Sequence, residues 1–311
     1  MRALVAGGAG LLGATMCARL LDRGYEVVCV DNLVTGSEAN VESLLGRPGM
    51  SFVEADITGP LTLDGSFDAV VNLACPASPA DFGPLSIEIL EVCSRGVANL
   101  LDLACSQDAR FLQASTSEVY GDPLVHPQPE TYWGNVNPVG PRSVYDEAKR
   151  FAEALTMAHH RRHGTAVRVA RIFNTYGPGM RADDGRVVSN FVTQALRGEP
   201  ITVYGDGSQT RSLCFVEDEV DGLIALMESD LTGPVNIGND DERTVLELAQ
   251  LIVELAGSSS TISFVERPVD DPSQRRPDLT LARSRLGWEP TTPVRDGLAR
   301  TVDWFRDRLP Q

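Results

Sequence analysis

Two short stretches of this sequence carry residues that could do chemistry together. Tyr145 and Lys149 lie four apart in Tyr145-Asp146-Glu147-Ala148-Lys149, so on a helix they project from one face, about one turn from each other. In that arrangement the ammonium lowers the phenol's pKa, bringing phenolate within reach well below its free value of about 10. About thirty residues earlier, Ser115-Thr116-Ser117-Glu118-Val119-Tyr120-Gly121 sets hydroxyls and a carboxylate in a row. A lone YxxxK is common on solvated helix faces. Its meaning depends on the elements that would bring it to the Ser-Thr-Ser-Glu stretch.

Those elements read as alternating strands and helices. Arg2-Ala3-Leu4-Val5-Ala6 is a short buried strand, followed at once by the glycine run Gly7-Gly8-Ala9-Gly10-Leu11-Leu12-Gly13. An amphipathic helix then runs to about Arg23, and the strand Val27-Val28-Cys29-Val30 ends in Asp31-Asn32. Strand, glycine turn, helix, strand and acid together form the context in which a glycine fingerprint indicates dinucleotide binding. Glycines at 7, 10 and 13 let the backbone approach a pyrophosphate at a helix N-terminus. Asp31, 18 residues beyond Gly13, is placed to bind an adenosine ribose and to repel a 2′-phosphate, which favours NAD over NADP. Ser51 to Glu54 is a third strand, followed by Asp56, an acid placed to face the adenine. Asp68 to Ala74 is a fourth strand, Leu85 to Ser106 a long helix, and Arg110 to Ala114 a fifth strand that delivers Ser115 to Glu118 at its C-terminal end. Ligand sites of open α/β sheets sit at that end.

Composition limits the function classes. A formal net charge of −16 argues against general affinity for nucleic acid or anionic membranes, so an anionic substrate needs a local cationic pocket. The six cysteines show no CxxC spacing and read as small buried thiols in a reducing compartment. Three of the four histidines crowd the end of the Tyr145 helix and read as a solvated face, so no metal site is expected. No apolar run approaches the roughly 20 residues of a membrane span, and no signal peptide is evident. The expectation is a soluble, cytoplasmic protein.

These features resemble the extended short-chain dehydrogenase/reductase superfamily, and within it the UDP-glucuronate decarboxylase (UDP-xylose synthase) family. The closer likeness rests on Ala74-Cys75-Pro76-Ala77-Ser78-Pro79, the 115–123 stretch, Tyr132-Trp133-Gly134, Asn137-Pro138, Gly140-Pro141-Arg142, and the 171–178, 184–191 and 203–212 runs. Arg275-Arg276-Pro277-Asp278 completes it. The resemblance implies a Rossmann-type doubly wound parallel sheet, with residues 1–175 and 214–239 binding NAD. Residues 176–213 and 240–311 would form a smaller nucleotide-sugar lobe. It implies oxidation of the sugar C4 hydroxyl with Tyr145 as base, Lys149 on the nicotinamide ribose, and Thr116 hydrogen-bonding the C4 oxygen. The resulting 4-keto acid would lose CO₂ and be reduced again to UDP-xylose, with NAD recycled. Ser117 and Glu118 would stand beside C5 and its carboxylate, Glu118 acting by like-charge repulsion or sitting protonated. Arg275 would orient water or the enolate, because a guanidinium rarely gives up a proton.

The same resemblance assigns Gly7, Gly10, Leu11, Leu12, Gly13, Asp31, Asn32, Asp56, Ile57 and Ala74 to the cofactor. It assigns Asn174, Arg186, Val188, Thr202, Tyr204, Gln209 and Arg211 to the UDP-sugar, and a homodimer to a four-helix interface built from 85–106 and 145–163. A nucleotide-sugar 4-epimerase or 4,6-dehydratase on the same scaffold is the alternative. The chain departs from the family pattern at four places near the site. Asp81-Phe82 stand for His-Tyr, Cys93 for an Asn, Asn72 for a His and Ala148 for a Gly.

Overall fold

Strands buried on both faces read as nearly continuous apolar runs, which is what a parallel sheet between two helical layers requires. The computed structural model of the chain describes residues 1–309; Pro310 and Gln311, the end of the expected 240–311 segment, lie outside the described residues. Six such runs and the partly exposed edge strand β3 form one sheet: β1 (Arg2–Ala6), β2 (Glu26–Asp31), β3 (Met50–Glu54), β4 (Ala69–Asn72), β5 (Arg110–Thr116), β6 (Val167–Ile172) and β7 (Pro234–Ile237). All neighbours are parallel, in the order 3-2-1-4-5-6-7. Winding reverses between β1 and β4, and the crevice at that switch point is where such sheets take ligands.

The helices are α1 (Leu11–Asp22), α2 (Ser86–Glu91), α3 (Val97–Ser106), α4 (Ser143–His163), α5 (Val187–Arg197), α6 (Val216–Glu228), α7 (Val245–Ala256) and α8 (Val294–Arg306). One face of the sheet packs on α1 and α6 through Met16, Leu20, Val220, Leu223 and Ile224. The other packs on α3 and α4 through Val97, Leu100, Tyr145, Ala148 and Ala152. A separate apolar cluster joins α5, α7 and α8 through Phe191, Val192, Leu248, Ile252, Leu298 and Phe305. Within it Ile201–Tyr204 pairs in parallel with Ile262–Val265, and Thr210–Ser212 pairs antiparallel with Glu242–Thr244. Thr244 starts α7 with a capping box: its hydroxyl accepts from Glu247 N (3.1 Å), and the Glu247 carboxylate accepts from Thr244 N (2.8 Å).

Two elements near the crevice differ from their sequence expectation. The single helix expected over 85–106 is interrupted by a π turn at Val92–Gly96. A Cβ on Gly96 would come within 2.8 Å of the Ile57 side chain, so close packing there depends on this glycine. Strand β5 runs on to Thr116, which caps a tight 3₁₀ turn over Ser117–Tyr120 by accepting from Glu118 N at 3.2 Å. The turn aims Ser117 and Glu118 into the crevice.

Helix α6 also carries an unusual group. Glu219 is 0 % exposed, and neither carboxylate oxygen has a hydrogen-bond partner. Burial pushes its pKa well above the usual carboxylate value, so the folded chain holds it neutral. A raised folded-state pKa binds protons more tightly than the unfolded chain does, so this group costs stability as pH rises above about 4.3, its unfolded value. Glu219→Leu is therefore expected to raise Tm, with a larger increment at pH 7 than at pH 4. Thermal unfolding of both proteins at the two pH values checks this.

Candidate active site

At the switch point the chain turns directly from β1 into Gly7, whose φ of +75° suits glycine. Any Cβ on Gly13 would collide with the Gly7 carbonyl, so this position serves close packing of α1 against the turn. Gly10 caps α1 without a side-chain bond, leaving first-turn N–H groups free to meet a phosphate. Two adjoining clefts open here, of about 350 and 150 Å³, sharing Gly7, Gly10, Thr35, Leu73 and Cys75 in their walls.

The smaller cleft contains Asp31, Asn32, Asp56, Ile57 and Ala74. Asp31 already accepts from the Ala9 and Leu33 N–H groups (both 2.9 Å), so its carboxylate also ties the glycine turn to the end of β2. Asn32 donates to Asp56 (2.9 Å), which also accepts from Thr58 N and its hydroxyl at 2.8 and 2.7 Å. Against the effect of burial, those bonds hold the Asp56 carboxyl below its ordinary value. An acidic rim beside a helix N-terminus suits an adenosine ribose, with the pyrophosphate on the glycine turn.

The larger cleft brings together Leu11, Leu12, Gly13, Thr116, Ser117, Glu118, Tyr145, Lys149, Asn174, Arg186, Thr202, Tyr204, Gln209 and Arg211. Lys149 donates to the Ala114 carbonyl (3.1 Å), and its ammonium lies 5.7 Å from the centre of the Tyr145 ring. The expected drop in the Tyr145 pKa is not what this structure produces. Burial pushes the phenol above 10 and outweighs the Lys149 charge. The sequence pattern shows the ammonium but not the depth of burial. Part of that burial comes from Phe82, stacked on Tyr145 at 4.9 Å between ring centres, while Arg142 sits 5.5 Å over the Phe82 ring.

Glu118 resolves the choice left open above. Its carboxylate accepts from Arg142 Nη2 (2.8 Å) and Arg275 Nη2 (3.0 Å). Against burial, the charges of Arg275, Arg142 and Arg211 hold it down to about 2, so it is ionised and not a proton donor. Asp146, next to Tyr145 on α4, is raised to about 7 by burial and by Glu118.

Two expected contacts fall outside the cleft. Arg275 is 1 % exposed and stands behind Glu118, donating its other Nη to the Gly121 carbonyl (2.9 Å). It reaches the cleft only through that carboxylate and does not orient a ligand directly. Val188 faces the apolar cluster of α5, and its neighbour Val187 lines the cleft instead. Conversely, Arg142 and Arg181 line the cleft without having been singled out as site residues, and Phe82, noted only as a departure near the site, lines it too. For Arg142 a signal existed, since it precedes Tyr145 by three positions and so shares its helix face. Arg211 is held by Asp271 (3.0 and 3.1 Å), and Arg186 pairs with Asp184. Asn174 Oδ1 is buried without a partner, an open acceptor in the cleft wall. His159 and His160 bond Thr165 at the end of α4 and are not a free solvated face. Among the described residues no cluster of side chains could hold a metal ion.

Comparison with known proteins agrees with this geometry. A model of the NAD dependent epimerase/dehydratase family matches residues 3–238. UDP-glucuronic acid decarboxylase 5 of Arabidopsis thaliana is 51 % identical over 310 residues, covering 99 % of this chain and 90 % of that protein. UDP-glucuronic acid decarboxylase 1 of Xenopus tropicalis is 48 % identical, covering 99 % and 73 %. The solved UDP-glucuronic acid 4-epimerase of Bacillus cereus, in complex with UDP-glucuronic acid and NAD, superposes with a TM-score of 0.88 at 27 % identity, covering 99 % of each chain.

The buried ion cluster yields a stability prediction. Arg275→Met leaves Glu118 hydrogen-bonded to Arg142 alone and is expected to cost about 2 kcal/mol, less than the ~3–5 of a fully orphaned buried charge. Because the folded-state pKa of Glu118 is depressed, its contribution is present above 4.5 and lost as pH falls towards about 2. The gap between the two proteins should narrow over that interval, as urea unfolding across pH would record.

Proposed function

The chain belongs to the NAD dependent epimerase/dehydratase family, and from that premise we propose that it converts UDP-glucuronate to UDP-xylose and CO₂ with NAD recycled. The observation that carries this reading is a single cleft holding Tyr145, Lys149 and Thr116 beside an ionised Glu118 flanked by Arg142. The decarboxylase names of the relatives at 51 and 48 % identity support it.

NAD, when bound, supplies a hydride acceptor at the sugar C4 and returns that hydride at the end of the cycle. The protein's part is positional and electrostatic. Tyr145 takes the C4 hydroxyl proton, Thr116 holds the C4 oxygen, and Lys149 holds the ribose while its charge favours phenolate. Oxidation at C4 makes the C6 carboxylate that of a β-keto acid, so the C5–C6 bond breaks and its electron pair enters an enolate. Glu118, held as an anion, faces the departing carboxylate, and losing that charge as CO₂ relieves the repulsion. Water delivers a proton to C5, and Tyr145 would return its proton to the C4 oxygen as C4 is reduced, so one proton is consumed overall and no net NADH is formed. Residues 1–175 and 214–239 are assigned to the cofactor and 176–213 and 240–309 to the UDP-sugar. Asn174 and Arg211 serve the diphosphate, for which a guanidinium fork is suited.

A 4,6-dehydratase needs a carboxylic acid able to protonate a leaving hydroxyl, and an ionised Glu118 is unsuited to that. Homodimerisation is supported by Ile87, Leu90 and Phe151, which leave an apolar patch on the neighbouring helices α2 and α4, with Ile87 62 % exposed. A cytoplasmic setting is supported by six unpaired cysteines. No helix among the described residues is long and apolar enough to cross a membrane.

Incubating the protein with UDP-glucuronate and following it by NMR should give CO₂ and UDP-xylose without net NADH. A C4 epimer with no CO₂ would overturn the reading. Tyr145→Phe is expected to lower kcat by about 10³-fold, within the range of a lost general base, while the Kd for UDP, measured calorimetrically, stays unchanged.

A further inference from the structure

Cys75 and Cys93 take no part in that chemistry, yet the fold brings their sulfurs to 3.6 Å. Cys75 follows β4 in the turn that forms the shared wall of the two clefts, and so can be reached from them. Cys93 is buried in the π turn of Val92–Gly96, and Val92 and Glu91 line the smaller cleft. π turns inside longer helices recur at functional sites. Lys149 lies close enough to both sulfurs that their charge would raise its own pKa.

We propose that Cys75 and Cys93 form an oxidation-sensitive dithiol in the wall of the cofactor cleft, a modification site that takes a two-electron oxidant of the hydroperoxide class and closes to a disulfide. The hydrogen bond from Cys75 brings the Cys93 thiol down to about 7 against the effect of burial, and the Lys149 charge adds to this. The same bond, with burial, pushes the Cys75 thiol up, so the thiolate near neutral pH rests on Cys93 and serves as the base that takes the Cys75 proton. Cys75 attacks the peroxide oxygen and passes its proton to the Cys93 sulfur. The O–O bond breaks, one water leaves, and Cys75 is a sulfenic acid. The Cys93 sulfur then attacks Cys75, the S–O bond breaks, and a second water leaves. Counted from one thiol and one thiolate, the pair has lost two electrons and one proton, solvent has supplied a second proton, and the peroxide has gained them all as two waters.

Closing the sulfurs from 3.6 Å to the roughly 2.05 Å of a disulfide draws the β4 turn against the π turn. That moves the wall between the two clefts and removes the thiols beside Lys149. Cofactor binding should weaken as a result. Another close pair, Cys17 and Cys29, is wholly buried and lines neither cleft. It is the internal control.

The test treats the full, reduced chain with hydrogen peroxide, with and without saturating NAD, and reads intact mass, non-reducing peptide maps and NAD affinity. The expected result is a loss of two hydrogens, a cross-linked Cys75–Cys93 peptide, and slower reaction when NAD is bound. NAD affinity should fall about tenfold, the scale of one or two lost contacts, and recover on adding dithiothreitol. Cys93→Ser should show neither the mass loss nor the reversible change in affinity. A Cys17–Cys29 cross-link, oxygen addition without any cross-link, or unchanged mass overturns the proposal, and so does a Cys75–Cys93 bond that leaves NAD affinity unaltered. These readouts do not involve the sugar, so failure of the decarboxylase reading would leave this result interpretable.

Discussion

The site depends on one buried ion cluster: Glu118 between Arg142 and Arg275. None of the three would be tolerable alone, because an unpaired charge in this environment either titrates away or unfolds its surroundings. Arg275 lies 157 positions from Glu118 in the chain, so the pair ties a C-terminal segment to the turn at the end of β5. Neighbouring backbone bonds follow the same route: Gln128 N donates to Arg276 O and Ser212 N to Arg275 O. The ion cluster thus couples the position of the C-terminal segment to the orientation of Glu118 in the cleft. Arg142, three positions before Tyr145, extends that coupling to α4.

Tyr145 shows the opposing side of the same design. The cleft excludes water at the phenol by stacking Phe82 on it, and exclusion of water disfavours phenolate. Lys149 partly offsets that effect, and it is held at its station by the Ala114 carbonyl of β5. Ionisation of Tyr145 is thereby made conditional on further positive charge arriving beside it. Under the proposed reaction an oxidised nicotinamide ring is a group of that kind, and Tyr145, as the proposed base, would ionise more readily with it bound.

Much of this arrangement was legible in the sequence, for physical reasons. Apolar runs of strand length, a glycine turn and a following acid gave the switch-point crevice, because each feature is local. The placement of Thr116, Ser117 and Glu118 at a strand end was equally local. What escaped were consequences of three-dimensional depth. The Tyr145–Lys149 spacing reports a helix face, but not that burial overrides the ammonium. Arg275 was recognised as important, yet its being behind Glu118 follows from how a distant segment crosses the 120s. Val188 is buried within the apolar cluster, whereas Val187 packs at its edge and also lines the cleft, a difference of one position that the sequence pattern does not resolve. The approach of Cys75 to Cys93 depends on a π turn, and no residue pattern announced one.

The charges lining the larger cleft have a consequence for what can bind there. Arg142, Arg181, Arg186 and Arg211 each face it, and each is paired with a carboxylate: Glu118, Asp81, Asp184 and Asp271 respectively. In a chain of net charge −16 these arginines would otherwise stand alone in an acidic field only where the fold supplied no partner. Pairing keeps them extended and ordered without a ligand, so little side-chain entropy remains to be lost on binding. A neutral ligand gains nothing by disturbing such pairs. An anionic one can share a guanidinium with its carboxylate, because an arginine has five N–H donors and the pairs use only some of them. Arg211 gives one Nη to Asp271 and the other to the Thr210 and Pro272 carbonyls, so an anionic ligand there must compete with a carboxylate for its fork. Selection for a ligand with several negative charges follows from that competition, since each charge recovers part of the cost of loosening a pair.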